Sequence, residues 1–254
     1  MWYSIKSIIT PKNLEEAFSL QQQNGATLFA GGSYLLAEKN PSIRTLIDIN
    51  TLIDNSVTTN HEVVTIQAGA TLQTFIESVK PINPDCRLIN GAKASCPSKH
   101  IRNQRTFGGE AGQARPNSDA LVFLHAVDAE ITVYTDFELK ISIRDWDGNG
   151  IVTRITYYPN QIDSIELQRF SVIESAPAVV IVGGIKRNGQ LEFSVGGTAN
   201  TIQTFKVMTD NWKENSISEI AKNAVRQFIP DHFGSLNYKE SLIATAVKRV
   251  GGTL

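Results

Sequence analysis

The sequence predicts an α/β region followed by an α+β region. Over the first 160 residues, apolar strand-like runs alternate with helical runs, an order typical of α/β folds. After Pro159 a hairpin pattern is followed by two helical segments, which indicates an antiparallel sheet with helices beside it. We therefore predict one domain over 1–160, with subdomains over about 1–52 and 53–160, and a second domain over 161–254.

The chain begins with a pattern typical of a small parallel unit. Asn13 can cap a first helix, which Gly25 is expected to end. Thr27–Ala30 and Thr45–Ile49 are predicted strands, with a short helical run over Tyr34–Glu38 between them. A strand, a glycine turn, a helix and a second strand in this order favour parallel pairing.

A second set of elements follows, separated by a long polar stretch. The predicted elements are a strand over Val63–Ala68, a helix from Thr71 to about Val79, a helix from Asn117 or Ser118 to about Val127, and strands over Glu130–Thr135 and Ile151–Tyr158. Between them, Gly91–Pro116 is poor in apolar side chains, and we expect one long loop there. Loops of that length are usually functional or disordered.

The C-terminal region carries one hairpin signal and two helix signals. Ala178–Lys186 and Gln190–Val195 flank Arg187-Asn188-Gly189, which predicts a β-hairpin. Capping boxes predict the starts of two helices, at Ser216 with Glu219 and at Asn237 with Glu240, and the second helix is expected to stop at Gly251-Gly252.

Composition excludes several classes of protein. Lys and Arg total 24 against 25 for Asp and Glu, so no basic footprint favours nucleic acid or an anionic membrane. The two cysteines, Cys86 and Cys96, are too few for an iron–sulfur cluster or a structural zinc, and they indicate a reducing compartment. The N-terminus lacks a signal-peptide core, so we expect a cytoplasmic protein. The histidines show no metal-ligand spacing, and no catalytic constellation is recognisable.

Two glycine pairs are the strongest candidates for a ligand site. They lie in Ala30-Gly31-Gly32-Ser33-Tyr34 and in Thr106-Phe107-Gly108-Gly109-Glu110, each just before a helix or helical pattern. Glycine lets the backbone approach a ligand closely and direct amide groups at it, which suits a diphosphate. Neither segment matches a P-loop or the GxGxxG fingerprint, and on spacing alone two tight turns remain the alternative.

Longer motifs surround these glycines. The chain reads AGGS at 30–33, GATL at 69–72 and IRNQRTFGGEAGQARPNSDALVFLHAVDA at 101–129. These segments resemble the FAD-binding medium subunits of molybdenum hydroxylases, the family of the xanthine dehydrogenase flavin domain and the carbon monoxide dehydrogenase flavoprotein. The C-terminal part, from Gln168-Arg169-Phe170 to the predicted helix over Tyr238–Arg249, resembles the last domain of that family.

The resemblance implies a fold, a cofactor and its contacts. The implied fold is a two-subdomain FAD-binding fold of the vanillyl-alcohol-oxidase-like type, followed by a C-terminal domain of sheet and helices, with FAD extended between the first two subdomains. The cofactor-binding residues it implies are Ala30, Gly31, Gly32, Ser33, Tyr34, Thr106, Phe107, Gly108, Gly109, Glu110, Asp119 and Arg169. It implies no catalytic residue and no metal ligand in this chain.

Three positions depart from the family pattern. Arg105 replaces a small residue before the second glycine segment, Glu110 replaces Asn or Ser after it, and Pro177 stands where some members have an aromatic residue against the flavin. A carboxylate facing a diphosphate would be repelled. We therefore expect Glu110 to bond a ribityl or ribose hydroxyl of the cofactor, or to pair with Arg102, Arg105 or Arg115.

The function that the resemblance implies is electron transfer within a molybdopterin-dependent dehydrogenase or hydroxylase. An iron–sulfur subunit would deliver electrons, a molybdopterin-binding subunit would oxidise the substrate, and NAD⁺ or another acceptor would take the electrons from FAD. Two alternatives remain: a structural subunit that has lost tight FAD binding, and a stand-alone flavin oxidoreductase.

Overall fold

In the computed structural model, which describes residues 2–174 and 176–254, three β-sheets follow one another along the chain. The strands are β1 (Ser7–Ile9), β2 (Ala26–Phe29), β3 (Thr45–Asp48), β4 (Val57–Thr59), β5 (Val64–Gln67), β6 (Glu130–Tyr134), β7 (Glu138–Ser142), β8 (Ile151–Tyr157), β9 (Ser164–Phe170), β10 (Val180–Arg187), β11 (Gln190–Gly196) and β12 (Gln203–Met208). The α-helices are α1 (Leu14–Gln21), α2 (Ser33–Glu38), α3 (Leu72–Val79), α4 (Arg87–Ser95), α5 (Lys99–Arg102), α6 (Phe107–Gln113), α7 (Asp119–Ala126), α8 (Glu214–Ala224) and α9 (Leu236–Thr253).

The first sheet is parallel, as the sequence predicts. Its strand order is β1-β3-β2, and β3 pairs in parallel with both neighbours. The side chain of Asn13 accepts the amide of Glu16 and so caps α1, which confirms the predicted helix start. A small core, centred on the fully buried Ala17 and Ile47, lies between α1 and this sheet.

The middle sheet is antiparallel, with strand order β4-β5-β8-β6-β7. Thr71 caps α3 and Ser118 caps α7, as predicted, each by accepting a backbone amide of the helix that follows. The largest core cluster lies between this sheet and α3, α4, α6 and α7. This cluster fixes the second glycine segment, because Phe107 is one of its fully buried members.

The prediction of one long loop over Gly91–Pro116 is wrong. Three short helices, α4, α5 and α6, occupy much of this part of the chain and the residues just before it. Leu88, Ile89 and Ala92 bury one side of α4, while Phe107 and Ala111 bury one side of α6. Short helices with small buried side chains contain few large apolar residues, so their periodicity is weak in the sequence.

The third sheet is antiparallel throughout, with order β12-β11-β10-β9. The predicted hairpin of β10 and β11 is confirmed, and its turn residues Asn188 and Gly189 have φ of 50° and 73°. Two consecutive positive φ angles are typical of the type I′ turn, which matches the twist of a hairpin. Helices α8 and α9 pack on this sheet around a second core cluster.

The predicted capping boxes of the last two helices are wrong. Helix α8 begins two residues before Ser216, and the Ser216 hydroxyl donates to the carbonyl of Asn211. Helix α9 is capped by Ser235 and runs on to Thr253. It passes through Gly251-Gly252 without ending there. A Cβ at Gly251 would overlap the ring of Trp212. Close packing therefore explains the glycine at 251.

Within the described residues, no helix is long and apolar enough to cross a membrane. The division of the chain into domains near residues 52 and 160 stays a prediction.

Candidate functional site

A cleft separates the first sheet from helix α6, and both glycine segments line it. It consists of two adjoining pockets of about 600 and 380 Å³, volumes that include space open to solvent. The pockets share Leu28, Ala30, Gly109 and Gln113 in their walls. The fold therefore brings together two segments that lie more than 70 residues apart in the sequence.

The first glycine segment offers free backbone amides. Strand β2 ends at Phe29, and α2 begins at Ser33 after a turn in which Gly32 has φ of 68°. Gly32 has no side chain with which to cap the helix, and the first amides of a helix have no intrahelical acceptor. Within the part of the chain that the structure describes, the amides of Ser33 and Tyr34 have no acceptor, and both residues line the cleft.

The glycines of this first segment also serve the protein's own packing. A Cβ at Gly31 would overlap the carbonyl oxygen of Gln104, just before the second segment. A Cβ at Gly32 would overlap the ring of Phe29, and its positive φ already favours glycine. The backbone of the first segment therefore packs closely against Gln104, two residues before the second segment.

The second glycine segment has no free backbone amides over residues 107–110, because each of them donates a hydrogen bond within the described residues. The amides of Phe107 and Gly108 donate to the carbonyls of Ala70 and Ala68, at 2.9 and 2.8 Å. Those of Gly109 and Glu110 donate to the side chain and the carbonyl of Thr106, at 3.1 and 2.9 Å. The Phe107 ring lies in the core, 5.1 Å from that of Phe75.

Glu110 is a buried carboxylate held by two arginines and a serine. Its Oε1 lies 2.8 Å from Nη2 of Arg105 and 3.0 Å from Nη2 of Arg115, and Ser118 donates its hydroxyl to Oε2. Burial raises the pKa of Glu110, but the guanidinium groups of Arg105 and Arg115 outweigh this and lower it overall. Of the pairings expected from sequence, those with Arg105 and Arg115 form. Arg102 bonds elsewhere, to the side chain of Gln73 and to two carbonyls.

Arg115 also connects the two walls of the cleft. Its guanidinium carbon lies 4.5 Å from the centre of the Tyr34 ring, so the cation stacks on an aromatic residue of the first glycine segment. Burial and the nearby Glu38 raise the pKa of Tyr34, so this ring stays neutral at physiological pH. The chain Tyr34, Arg115, Glu110 thus joins the first segment to helix α6.

Asp119 and Arg169 pair with each other outside the walls of the cleft. Oδ1 of Asp119, at the start of α7, lies 3.1 Å from Nε of Arg169 on β9, and both side chains are largely buried. The contact is an ion pair and not a hydrogen bond, since neither atom has a hydrogen-bond partner within the described residues. Burial raises the pKa of Asp119, and Arg169 only partly offsets this. Arg169 also donates to Ser171 and to the carbonyls of Glu174 and Ala176.

Several wall residues were missed by sequence reasoning. Gln21, Gly112, Gln113 and Gly150 line the cleft but belong to none of the predicted contacts. The signal for Gly150 was present, since Asp147-Gly148-Asn149-Gly150 is an unusually polar, glycine-rich turn. Gly112 is notable because a Cβ there would meet nothing within 4 Å, so a side chain at this position would extend into open space.

Comparison with known proteins identifies the family. The sequence model for the FAD binding domain in molybdopterin dehydrogenase matches residues 3–147. None of the functionally curated proteins matches the chain in sequence.

The whole fold is also similar to solved structures. A chain of carbon monoxide dehydrogenase from Hydrogenophaga pseudoflava, in a form lacking the Mo-pyranopterin moiety, superposes with a TM-score of 0.78 at 19% identity over 97% of this chain and 96% of that one. Quinoline 2-oxidoreductase from Pseudomonas putida 86 gives 0.76 at 16% identity over 97% and 95%. Reconstituted CO dehydrogenase from Oligotropha carboxidovorans gives 0.78 at 16% identity over 97% and 96%.

Identities of 16–19% establish a shared fold, which confirms the predicted fold class. The family model establishes the family as well as the fold, because the matched residues are more than half of the sequence and include both glycine segments. The chain therefore belongs to the family of FAD-binding domains of molybdopterin dehydrogenases, and it is an FAD-binding component of an oxidoreductase.

Proposed function

We propose that the chain is the electron-transfer subunit of a multi-subunit molybdopterin-dependent dehydrogenase or hydroxylase in the cytoplasm. An iron–sulfur subunit delivers electrons to its FAD, a molybdopterin-binding subunit oxidises the substrate, and NAD⁺ or another acceptor removes the electrons. The cleft between the two glycine segments carries this proposal. The cysteine count supports a separate iron–sulfur subunit, because clusters are held mainly by cysteine thiolates and this chain has two cysteines.

The residues of the cleft fit FAD. The two pockets adjoin, share four wall residues and are bordered by both glycine segments, and cofactor sites are usually concave. The free amides of Ser33 and Tyr34 are donors that suit a diphosphate. Leu28, Ile49 and Ile151 give the larger pocket an apolar wall of the kind that accepts a flat ring.

The proposed contacts are those that the sequence predicts. Residues 30–34 hold the cofactor through free amides and close backbone approach. Residues 106–110 do so through the surface of their backbone, since their amides are engaged. Asp119 and Arg169, which pair with each other outside the two pockets, contact the end of the cofactor nearest the C-terminal sheet in this proposal. The first wall belongs to the proposed subdomain 1–52 and the second to 53–160.

In this function the chain binds and orients, while the redox chemistry is that of the cofactor. FAD, when bound, accepts electrons from one carrier and passes them to another. The amides of Ser33 and Tyr34 hold phosphate oxygens, and the apolar wall excludes water from the ring next to it. The buried Asp119, whose pKa is raised, holds a proton more readily than an exposed carboxyl does.

The first test is whether the purified chain retains flavin in the cleft. We expect a flavin absorption spectrum that stays with the protein through gel filtration, with FAD as the released cofactor. Gly112→Leu adds a large side chain at a residue that lines the cleft and where a Cβ meets nothing within 4 Å, so this variant is expected to lose FAD. Because leucine has a higher helix propensity than glycine, the variant should unfold no earlier than the native protein.

Gly252→Leu is the matched control. Gly252 also lies in a helix, a Cβ there also meets nothing within 4 Å, and it does not line the cleft. This variant should keep normal FAD content. Normal FAD content in Gly112→Leu would contradict the assignment of the cleft. The proposed assembly is tested separately, by co-purification of the chain with iron–sulfur and molybdopterin subunits.

A second candidate function is a structural subunit that has lost tight FAD binding. The observation that favours it is the internal use of groups otherwise available to a cofactor: the amides of residues 107–110 are bonded, and Asp119 is paired with Arg169. In that case the chain copurifies with its partner subunits but carries no flavin and binds none when FAD is added. Flavin retained by the assembled complex at this chain's cleft would exclude this candidate.

A further inference from the structure

The walls of the cleft carry little charge for a site that takes a diphosphate. Among the described residues that line its two pockets, Glu110 is the one charged side chain. The diphosphate of FAD is a dianion, and the amides of residues 107–110 are engaged. The free amides of the first segment are neutral donors. A cationic side chain of this chain that acts on the diphosphate therefore lies behind the wall.

The nearest cations are the two arginines on Glu110. Arg105 and Arg115 together carry two positive charges against one carboxylate, so the cluster has a formal charge of +1. Glu110 itself is saturated, since its two oxygens accept from both guanidinium groups and from Ser118. A saturated carboxylate with a lowered pKa accepts nothing further from a ligand, and its charge is more than neutralised by its partners.

The two arginines differ in position. Arg105 is the more buried, and it lies beside the buried Cys96 behind the wall. Arg115 is the more exposed, and it stacks on the ring of Tyr34, a residue of the cleft wall. Arg115 itself lies behind the residues that line the two pockets, and its Nε is buried without a hydrogen-bond partner within the described residues.

We infer that Arg115 is the cation this chain presents to the diphosphate, and that Glu110 is the positioning residue that holds it there. The inference rests on the proposed function, because it requires FAD in the cleft. It explains why a carboxylate is tolerated beside the second glycine pair: Glu110 orients two guanidinium groups and leaves one net positive charge. Tyr34 supports the same position from the opposite wall.

The test measures binding of FAD, ADP and riboflavin to Arg115→Met at low and high ionic strength. A charge-assisted contact to phosphate is worth about ten- to a hundredfold in affinity, so FAD and ADP should each bind weaker by about that factor. Riboflavin has no phosphate, and its affinity should stay the same. Salt weakens a charge interaction, so FAD binding by the variant should depend less on ionic strength than binding by the native protein does.

Three further variants keep the result interpretable. Arg87→Met removes an arginine whose ion pair with Glu166 lies away from the cleft, and it should bind FAD normally. Glu110→Met with Arg115→Met keeps the formal charge of the cluster at +1 and leaves no carboxylate unpaired. The double variant leaves the buried Arg105 without its carboxylate partner, so thermal unfolding first checks that it is folded as Arg115→Met is. This double variant should bind FAD as weakly as Arg115→Met. Arg115→Lys keeps the charge but loses the planar fork, and it should recover only part of the affinity.

The outcomes separate the inference from the proposed function. If the native protein binds FAD and either Arg115→Met or the double variant binds it equally well, Arg115 is not the diphosphate cation. If Arg115→Lys binds as tightly as the native protein, positive charge alone is sufficient and the positioning role of Glu110 is wrong. If the native protein binds neither FAD nor ADP, the proposed function itself fails and the inference fails with it.

Discussion

Glu110 is buried with three partners, and its burial makes it a structural residue as well as a site residue. The motif around it predicted where it lies in the chain. The sequence could not predict that the amides of Phe107 and Gly108 would be satisfied, because their acceptors, the carbonyls of Ala70 and Ala68, come from a segment almost 40 residues earlier. The motif therefore predicted which residues form the wall of the cleft. Whether their amides are free to bind a ligand depends on contacts that are distant in sequence.

Removal of the Glu110 charge is expected to destabilise the fold strongly. Glu110→Gln leaves Arg105 and Arg115 buried without their carboxylate, and a broken buried ion pair costs about 3–5 kcal/mol in the free energy of unfolding. Glu77→Gln is the matched control. It breaks an ion pair with Lys99 whose side chains are 59% and 62% exposed, and such solvent-exposed pairs contribute little to stability. Urea unfolding of both variants at neutral pH measures the difference, and equal losses would contradict the structural role of Glu110.

At the scale of the element, the interior strands were predictable and most edge strands were not. The sequence analysis found β2, β3, β5, β6, β8, β10 and β11. It missed β1, β4, β7, β9 and β12, each of which lies at the edge of its sheet. Strand β7 shows why, because its first three residues are exposed and its last two are half-buried. An edge strand that buries few side chains lacks a strong apolar pattern in the sequence. Its pairing depends on a neighbour that is fixed by the tertiary fold.

The C-terminal end of helix α9 was also mispredicted, because it depends on a tertiary contact. Gly251-Gly252 was interpreted as a helix stop, which is the usual meaning of glycine after a helical pattern. In the structure both residues lie inside the helix, and Trp212 packs against Gly251. The sequence carries no sign of that contact, because Trp212 is almost 40 residues away.

The two adjacent glycines should respond in opposite directions to the same substitution. Gly252→Ala adds a methyl group in open space and removes glycine's entropy cost, so it should stabilise the protein by about 0.5–1 kcal/mol. In Gly251→Ala the new methyl group overlaps the Trp212 ring, and overpacking of this kind costs about 1–3 kcal/mol. Thermal unfolding of both variants tests the pair. Stabilisation by Gly251→Ala would show that the helix and Trp212 separate without cost.

At the scale of the whole molecule, polar contacts join the middle and C-terminal sheets. Arg144, after β7, donates to the carbonyls of His125 and Ala126 at the end of α7 and pairs with Glu192 on β11 at 2.9 Å. Arg187 on β10 donates to the carbonyl of Val127. These contacts fix the end of α7 opposite to Asp119, so the position of α7 is set at both ends by the C-terminal sheet. The single-sequence patterns predicted the helix itself and none of these arginine contacts.

This arrangement makes the stability of the whole molecule sensitive to acid. Burial and, to a smaller extent, the nearby Arg144 lower the pKa of His125 from 6.5 to about 4, against the opposing effect of Asp128. A histidine with a lowered folded-state pKa is stabilising above its unfolded pKa, and the contribution is lost as the pH falls from 6.5 towards 4. We expect a loss of about 2 kcal/mol over this interval, less than the full shift implies because the ring is half-buried.

The variant His125→Leu isolates this contribution. Leucine does not titrate, so the difference in unfolding free energy between the variant and the native protein should shift in favour of the variant as the pH falls from 7 to 4.5. Glu110, with its lowered pKa, loses its contribution only at lower pH, below its ordinary value of 4.5. Asp119, with its raised pKa, acts in the opposite direction, since protonation relieves its burial. Both carboxyl groups are present in both proteins and cancel in the comparison. A difference that stays constant with pH would show that His125 is protonated in the folded protein as readily as in the unfolded chain, and that α7 does not exclude its charged form.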